Sequence, residues 1–189
     1  MTVGDHPNPG ISRDSVGKLP YASITAKIGK GPRGLLILWR QEGDDLHWLS
    51  ADGVVLVTRF GRIVKTAGLP ETMRDTLSQD TDPVAAGLHL SNNLKSYRRT
   101  VDFEIADGNR LLLEIESEFA TVRRENIKIV EIDFDTIAIM ERGKGKTTNW
   151  SFENRYWVDP ADGFVWRSSQ WIARGFPPIV LEIAKPAAT

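Results

Sequence analysis

The chain has 189 residues, of which 41% are hydrophobic, so it can bury the core of one ordinary domain, and disorder over most of it is excluded. Its 24 basic and 25 acidic residues leave a net charge of −1, which argues against a globally basic nucleic-acid-binding protein. The lack of cysteine excludes disulfide bonds, thiolate zinc sites and a catalytic cysteine.

The first part of the chain is predicted to be a lead-in followed by short strands. Residues 1–20 are rich in Pro, Gly, Asp and Ser, which predicts a flexible segment. From Tyr21, apolar or alternating segments are separated by turn residues such as Asp52-Gly53, a strong hairpin signal. The strands predicted here are 21–28, 35–40, 46–49, 54–59 and 62–66.

A helical interruption is predicted next. Gly68-Leu69-Pro70-Glu71 has a proline near the first position of a helix, and Asp82-Pro83 would end it. The segment 84–94 is ambiguous and is consistent with a second short helical piece. The residues that would share one face of the first helix are Leu69, Met73 and Leu77.

Strands are predicted again from there to the end of the chain, with turn residues at short spacing and no domain boundary after residue 20. We therefore predict an all-β fold: a single antiparallel β-barrel or strongly curved, nearly closed sheet of about eleven strands, with one or two short helices. One domain would cover 21–186, with a tail over 187–189. The later predicted strands are 99–105, 111–119, 127–134, 136–141, 149–159, 164–172 and 179–183.

The stretch from Asn149 to Trp171 is the most informative part of the sequence. Pro160-Ala161-Asp162-Gly163 is typical of a type I turn with glycine in the left-handed position, so the flanking strands form a hairpin. Alternation then assigns side chains to two faces. The face predicted to be core carries Trp150, Phe152, Asn154, Tyr156 and Val158 and, if Val158 opposes Phe164, also Phe164, Trp166, Ser168 and Gln170.

The opposite face of this hairpin is the candidate binding surface. Its tryptophans form flat apolar platforms and its arginines supply fixed donors, a combination that suits planar or saccharide ligands. The alternative is a surface that only covers the sheet, with the arginines paired by Glu153 and Asp159. The predicted ligand-binding residues are Arg155, Trp157, Arg167 and Trp171, with Val165 and Ser169 on the same face.

From the remaining histidines, carboxylates and basic residues we predict no metal site and no cofactor, and we assign no catalytic residue. The histidines, at positions 6, 47 and 89, lack ligand spacing, and no nucleophile elbow, P-loop or dinucleotide fingerprint occurs. Carboxylates at i, i+2 spacing share a strand face, where they either act on glycan or are only solvated; they are Asp102 and Glu104, and Glu131, Asp133 and Asp135. A basic cluster that either contacts acidic polysaccharide or forms a solvated loop consists of Arg142, Lys144 and Lys146.

Several segments carry a resemblance to a known family. They are Pro20-Tyr21-Ala22-Ser23-Ile24, Ser50-Ala51-Asp52-Gly53, the hairpin 149–170, and Leu181 to Pro186. From about residue 19 to 186 the chain resembles the YjbF/GfcB family of capsule and exopolysaccharide operon lipoproteins. The specific part is Tyr156-Trp157-Val158-Asp159 together with Trp166-Arg167-Ser168-Ser169-Gln170.

The resemblance implies a β-barrel-like periplasmic domain, tethered to the outer membrane by a lipidated cysteine that this chain lacks, and it supplies no catalytic residues. The chain starts without a signal peptide, so we expect a mature domain behind such an anchor. The expected function is non-enzymatic assistance of capsule or exopolysaccharide secretion or assembly, with polysaccharide or polysaccharide-export proteins as partners and no nucleic acid. The alternatives are a glycan-acting enzyme and a small-molecule or lipid carrier, although a barrel interior lined by Trp and Phe is expected to be filled.

Overall fold

The computed structural model describes residues 11–86, 95–104 and 109–187. No helix in these ranges is both long and apolar enough to cross a membrane. The elements are α1 (Arg13–Gly17), β1 (Ser23–Ile28), β2 (Arg33–Glu42), β3 (Asp45–Ser50), β4 (Val55–Arg59), β5 (Arg62–Ala67), β6 (Thr72–Leu77), β7 (Lys95–Glu104), β8 (Arg110–Ile129), β9 (Ile132–Gly145), β10 (Ser151–Val158), β11 (Val165–Gln170) and β12 (Ile179–Lys185).

All twelve strands form one antiparallel sheet that curls into a nearly closed barrel. Strands adjacent in sequence pair with each other, β12 pairs with β1, and the ring of backbone pairs opens between β5 and β6. Side chains join these two strands, because Thr76 Oγ1 donates to the Val64 carbonyl at 3.1 Å and the Met73 N–H donates to Thr66 Oγ1 at 2.9 Å. The predicted fold class is confirmed.

Two apolar clusters fill much of the barrel. The larger cluster contains Trp48 and Phe103, and the smaller one contains Phe119 and Ile139. Burying side chains of this size stabilises the fold by roughly 1.5–3 kcal/mol each. The residues predicted to face the core from the first strand of the aromatic hairpin are all buried, which confirms the alternation: Trp150, Phe152, Asn154, Tyr156 and Val158.

The register of the aromatic hairpin differs from the prediction at its turn. Trp157 pairs with Arg167, but Val158 pairs with Val165, so Trp166 is an extra residue on β11. Such a bulge reverses which face the following side chains occupy. The placement of Phe164 inside and Val165 outside was therefore wrong, since Val165 is 8% exposed and Phe164 is 38% exposed. Beyond the bulge the predicted alternation returns, and Ser168 and Gln170 are buried.

The helix predicted after Gly68 is wrong. Residues 72–77 form β6, in which Met73 pairs with Phe103 of β7 and is buried, whereas Leu77 is 59% exposed. Pairing with β7 satisfies the backbone of this segment and buries Met73, and this gain outweighs a weak local helix signal. Of the second predicted piece, 84–86 lie in a turn and 87–94 lie outside the described residues.

The short helix α1 lies within the lead-in predicted over 1–20. Val16 in this helix is buried, and Arg13 Nη1 donates to the Ala184 carbonyl at the end of β12 at 2.9 Å. The boundaries of the lead-in, the domain and the tail remain predictions.

The longest hairpin of the barrel, β8–β9, folds back over the outer surface. Its tip consists of Val130 and Glu131, both in left-handed conformation with φ of 43° and 71°. The Lys128 carbonyl next to the tip accepts a hydrogen bond from Arg167 Nη2 of β11 at 2.7 Å, and Glu131 Oε2 accepts from the Arg13 N–H at 3.3 Å. The hairpin therefore covers part of the outer face of the sheet near β11 and α1.

Candidate functional site

Three of the four predicted binding residues meet on the outer face of β10 and β11. Trp157 of β10 pairs directly with Arg167 of β11. Arg155 precedes Trp157 by two residues and so lies on the same face of β10. The guanidinium carbons of Arg155 and Arg167 lie 5.6 and 5.7 Å from the centroid of the Trp157 ring, within the range of cation–π contact. We call these three residues the Trp157 cluster.

Glu125, which sequence reasoning missed, holds the Trp157 cluster from β8. Trp157 Nε1 donates to Glu125 Oε2 at 2.6 Å, and Arg155 Nη1 lies 3.7 Å from Glu125 Oε1. Burial alone would raise the pKa of Glu125, but hydrogen bonds from Trp157 and Arg123 and the charges of Arg155 and Arg123 lower it below its ordinary value. Glu125 therefore stays ionised and orients the indole ring.

The expected pairing of the arginines by Glu153 and Asp159 is not what the structure contains. Glu153 lies 3.5 Å from Arg142, and Asp159 accepts a hydrogen bond from Trp166 Nε1 at 3.1 Å. The long β8–β9 hairpin, whose reach is not visible in the local pattern, brings Glu125 to the cluster instead.

Arg167 is also part of the architecture. Its Nε donates at 2.7 Å to Oε1 of Glu182, a residue that is only 2% exposed. The other carboxylate oxygen of Glu182 contacts Arg33 and accepts a hydrogen bond from Thr25 Oγ1 at 3.3 Å. A buried carboxylate is costly without such partners. Arg167 thus compensates Glu182 and, through Lys128, fastens the β8–β9 hairpin.

Trp171 does not belong to the Trp157 cluster. It follows β11 four residues after Arg167, which places it roughly 13 Å along the strand from Trp157. Its side chain is 36% exposed, and its backbone N–H donates to Asn154 Oδ1 at 2.8 Å. The surface predicted from four residues is therefore a cluster of three, with Trp171 near the opposite end of the barrel.

A charged network inside the barrel was not predicted. Glu141 on β9 is fully buried, with Oε2 2.8 Å from Arg62 Nη1 and Oε1 2.6 Å from Arg99 Nη1. Burial alone would raise the pKa of Glu141, but the two guanidinium groups outweigh it and hold the pKa well below its ordinary value. Three neutral donors complete its shell at 2.7 to 3.0 Å: Ser117, Asn154 and Tyr156.

Arg62 connects this network to the segment that follows β6. Its guanidinium also binds both carboxylate oxygens of Asp82, with Nη2 3.1 Å from Oδ1, and lies 5.2 and 5.3 Å from the ring centroids of Tyr97 and Tyr156. Val84, two residues beyond Asp82, is buried in the smaller apolar cluster. The network fills the middle of the barrel and keeps Glu141 ionised, so this carboxyl cannot serve as a general acid near neutral pH.

The carboxylates at i, i+2 spacing do not converge on a common point. Each is held by a cationic or backbone partner: Asp102 by Arg110, Glu104 by Arg74, Glu131 by the Arg13 N–H, Asp133 by Lys128 and Asp135 by Arg124. In the predicted basic cluster, Lys146 lies 2.7 Å from Glu114, and the lysine-glycine stretch extends β9 as far as Gly145.

The histidines show no metal-ligand arrangement in the described ranges. His47 lies 3.2 Å from Glu42, while His6 and His89 fall outside these ranges. Within them, no group of three or more His, Cys, Asp or Glu side chains is placed to hold a metal ion.

A pocket of about 500 Å³ opens at one end of the barrel, and we call it the mouth pocket. The turns between β2 and β3, β4 and β5, and β10 and β11 surround its opening. Its inner wall contains the buried hydroxyl groups of Thr58 and Ser168 but is formed mainly by buried apolar side chains of the two core clusters: Ile24, Trp48, Val84, Val165 and Leu181. The interior expected to be filled is therefore open at this end.

Comparisons with known proteins assign a family to this architecture. The family model described as group 4 capsule polysaccharide lipoprotein GfcB, YjbF matches residues 2–183. The uncharacterized lipoprotein GfcB of Escherichia coli strain K12 is 25% identical over 183 residues, which span 97% of this chain and 85% of the relative. The uncharacterized lipoprotein YjbF of the same strain is 23% identical over 181 residues, which span 96% of this chain and 83% of the relative.

A solved structure shows the same fold. The crystal structure of the hypothetical lipoprotein YmcC from Escherichia coli K12 matches with a TM-score of 0.84 at 23% identity, covering 95% of this chain and 91% of the other.

Proposed function

Because this chain belongs to the YjbF family of capsule polysaccharide lipoproteins, we propose that it is a non-enzymatic domain that assists the secretion or assembly of a capsule or exopolysaccharide. The domain works in the periplasm, held at the outer membrane by a lipid anchor outside this sequence. The relatives named lipoproteins support this location. Its partner is the polysaccharide itself or a protein of its export machinery.

The Trp157 cluster is the observation that carries the binding part of the proposal. Arg155 is one-third exposed, and its Nη1 lies 3.7 Å from Glu125 Oε1, which is too long for a hydrogen bond. Its guanidinium therefore retains donors for a ligand. Trp157 is half-buried and fixed by its bond to Glu125, which pre-orients an aromatic ring beside that cation. A guanidinium fork binds uronate carboxylates and sugar hydroxyls, and an aromatic surface packs against the apolar face of a sugar. Arg167 positions the ring, because its own charge is matched by Glu182.

A non-enzymatic role is supported by the state of the carboxylates. Glycoside hydrolysis needs two carboxyl groups about 5–10 Å apart that face one accessible space. The carboxylates at i, i+2 spacing are each engaged by a separate partner, and Glu141 is enclosed and held ionised between Arg62 and Arg99.

Calorimetric titration with purified capsular polysaccharide from the producing strain tests the glycan arm of the proposal. Arg155→Gln should weaken binding by about tenfold or more, since a hydrogen bond to a charged group contributes roughly 1.5–3 kcal/mol. Trp157→Ala should also weaken binding, because it removes the aromatic surface that packs against the sugar. Arg74→Gln is the matched control, because it removes the same charge from an exposed position on β6, four strands away from β10 in the sheet. Unchanged affinity in folded Arg155→Gln and Trp157→Ala proteins would refute the assignment of this surface.

The partner-protein arm needs a separate measurement. A photo-crosslinking amino acid in place of Arg155 should form adducts with an export protein in cells that secrete the polysaccharide, whereas the same amino acid in place of Arg74 should not. If the wild-type domain binds no polysaccharide and the substitution at 155 gives no specific adduct, the Trp157 cluster is architecture alone.

A further inference from the structure

The mouth pocket shares Arg167 with the Trp157 cluster but contains neither Arg155 nor Trp157, and it has the size of a small-molecule site. Its volume of about 500 Å³ lies within the roughly 300–1,000 Å³ of typical ligand pockets. The three turns around it lie at the same end because antiparallel strands return the chain to that end after every second strand. The pocket is thus a cavity of the barrel itself and not a groove between loops.

The inner wall of the mouth pocket is mainly apolar, with the hydroxyl groups of Thr58 and Ser168 as its buried polar groups. Ile24 and Trp48 are each 1% exposed, and Leu181 is 5% exposed, so the pocket continues directly into the larger core cluster. These polar groups already have partners, since Trp48 Nε1 donates to Thr58 Oγ1 at 2.8 Å and Gln170 Nε2 donates to Ser168 Oγ at 2.8 Å. A polar group placed here would lose its hydration without gaining a partner.

Aromatic side chains surround the opening. Phe60 and Phe164 line it and are 49% and 38% exposed, although rings of this size are normally buried. Tyr21 and Trp39 lie at the same end, at the start of β1 and near the end of β2, and are 54% and 59% exposed. This concentration of exposed rings at one end of the barrel gives an apolar rim to an apolar cavity.

Phe60 also has an unfavourable backbone conformation. Its φ is 50°, a left-handed conformation that costs most residues about 1–2 kcal/mol and that Asn or Gly adopts more readily. An exposed ring at such a position gains little from burial to offset that cost. Strained residues of this kind cluster at ligand-binding sites, where the position of the side chain matters more than local stability.

We propose that the mouth pocket binds the alkyl or acyl chain of an amphiphile, with the head group held at the rim. Of the charged residues that line the pocket, Arg167 is paired with Glu182, whereas Asp44 and Asp162 are exposed acidic residues beside the opening. They disfavour an anionic head group, so the ligand carries an uncharged or zwitterionic one. This site does not depend on polysaccharide binding at the Trp157 cluster.

The test is a titration of the full chain with octyl, decyl and dodecyl maltoside, each kept below its critical micelle concentration and followed by calorimetry. Each methylene buried in the pocket should raise affinity by about fourfold, so affinity should climb steeply along the series. Laurate, whose head group is anionic, should bind more weakly than dodecyl maltoside. The proposal would be overturned by an absence of binding or by an affinity that does not change with chain length. It would also be overturned if the protein partitions onto phosphatidylcholine vesicles but does not bind the monomeric maltosides.

Two variants locate the binding. Phe60→Asn should weaken dodecyl maltoside binding by tenfold or more while keeping the fold, because Asn suits the left-handed backbone and only the ring is lost. Leu112→Asn is the control, since Leu112 is 62% exposed near the opposite end of the barrel and should leave binding unchanged. Equal affinities of Phe60→Asn and wild type would place the ligand elsewhere and refute the site. Unchanged polysaccharide binding in Phe60→Asn would separate this result from the proposal for the Trp157 cluster.

Discussion

Replacing Glu141 by Gln should be among the most damaging single substitutions in this protein. The carboxylate is fully buried and lies between Arg62 and Arg99 at 2.8 and 2.6 Å. Gln has nearly the same shape but no charge, and its amide NH₂ would face groups that are themselves donors. The substitution would therefore leave two buried guanidinium groups without Glu141 as a partner. Within the network, Arg62 would keep the carboxylate of Asp82.

The expected loss follows from the cost of breaking a buried ion pair, which is roughly 3–5 kcal/mol when one partner is removed. Taking about 4 kcal/mol, a protein of this length should lose roughly 8–16 °C in melting temperature. Such a loss is a large part of the total stability of roughly 5–15 kcal/mol that is usual for a folded domain.

Urea unfolding followed by tryptophan fluorescence and circular dichroism measures this loss. Glu118→Gln is the matched control, because Glu118 is an exposed residue on the neighbouring strand β8, where the same substitution should change stability by less than about 0.5 kcal/mol. A cost below about 1 kcal/mol for Glu141→Gln would show that the buried ion pairs of this network do not stabilise the barrel.

Three further predictions concern pH, a strained turn and a close packing contact. Because the pKa of Glu141 is lower in the folded than in the unfolded protein, its contribution to stability should be fully present above pH 4.5, its ordinary pKa, and should be lost as the pH falls below 4.5. The difference in stability between wild type and Glu141→Gln, measured by urea unfolding, should therefore shrink below pH 4.5. Val130→Asn should raise the free energy of unfolding by about 1 kcal/mol, since a β-branched residue at φ 43° is strained; a lower midpoint of thermal unfolding would contradict this. Gly143→Ala should destabilise the fold by about 1–3 kcal/mol in calorimetry, because a Cβ there would collide with the ring of Phe152, its cross-strand partner; a wild-type melting temperature would show that the ring can move.

Part of the charged network was within reach of the sequence. Arg99 has the parity of Val101 and Phe103 on one strand, and Glu141 has the parity of Ile139 on another, so alternation alone points both toward the core. Nothing local indicates that the two strands place them 2.6 Å apart. A charged residue at an inward position is credible only when its partner is known, because an unpaired buried charge would not be tolerated.

The candidate surface shows the same limit. The sequence predicted that Arg155, Trp157 and Arg167 share a face, because parity and a recognisable turn are local properties. It could not predict the bulge at Trp166 or the reach of Glu125 from β8, whereas the separation of Trp171 from Trp157 follows from its position further along the strand. A bulge depends on how two strands accommodate each other across the sheet, and Glu125 reaches the cluster only because a long hairpin crosses the barrel surface.

The sequence by itself determined the all-β class, the aromatic hairpin and the inward face of β10, because side-chain alternation and turn chemistry are set by neighbouring residues. Only the tertiary structure decided that 72–77 is a strand, that Glu141 has two arginine partners, and that a pocket opens at one end of the barrel. Each of these depends on residues that are distant in the chain and become neighbours only when the sheet closes. Local preferences are worth a few tenths of a kcal/mol per residue, whereas pairing and burial in the closed barrel contribute several times more, so the tertiary contacts prevail.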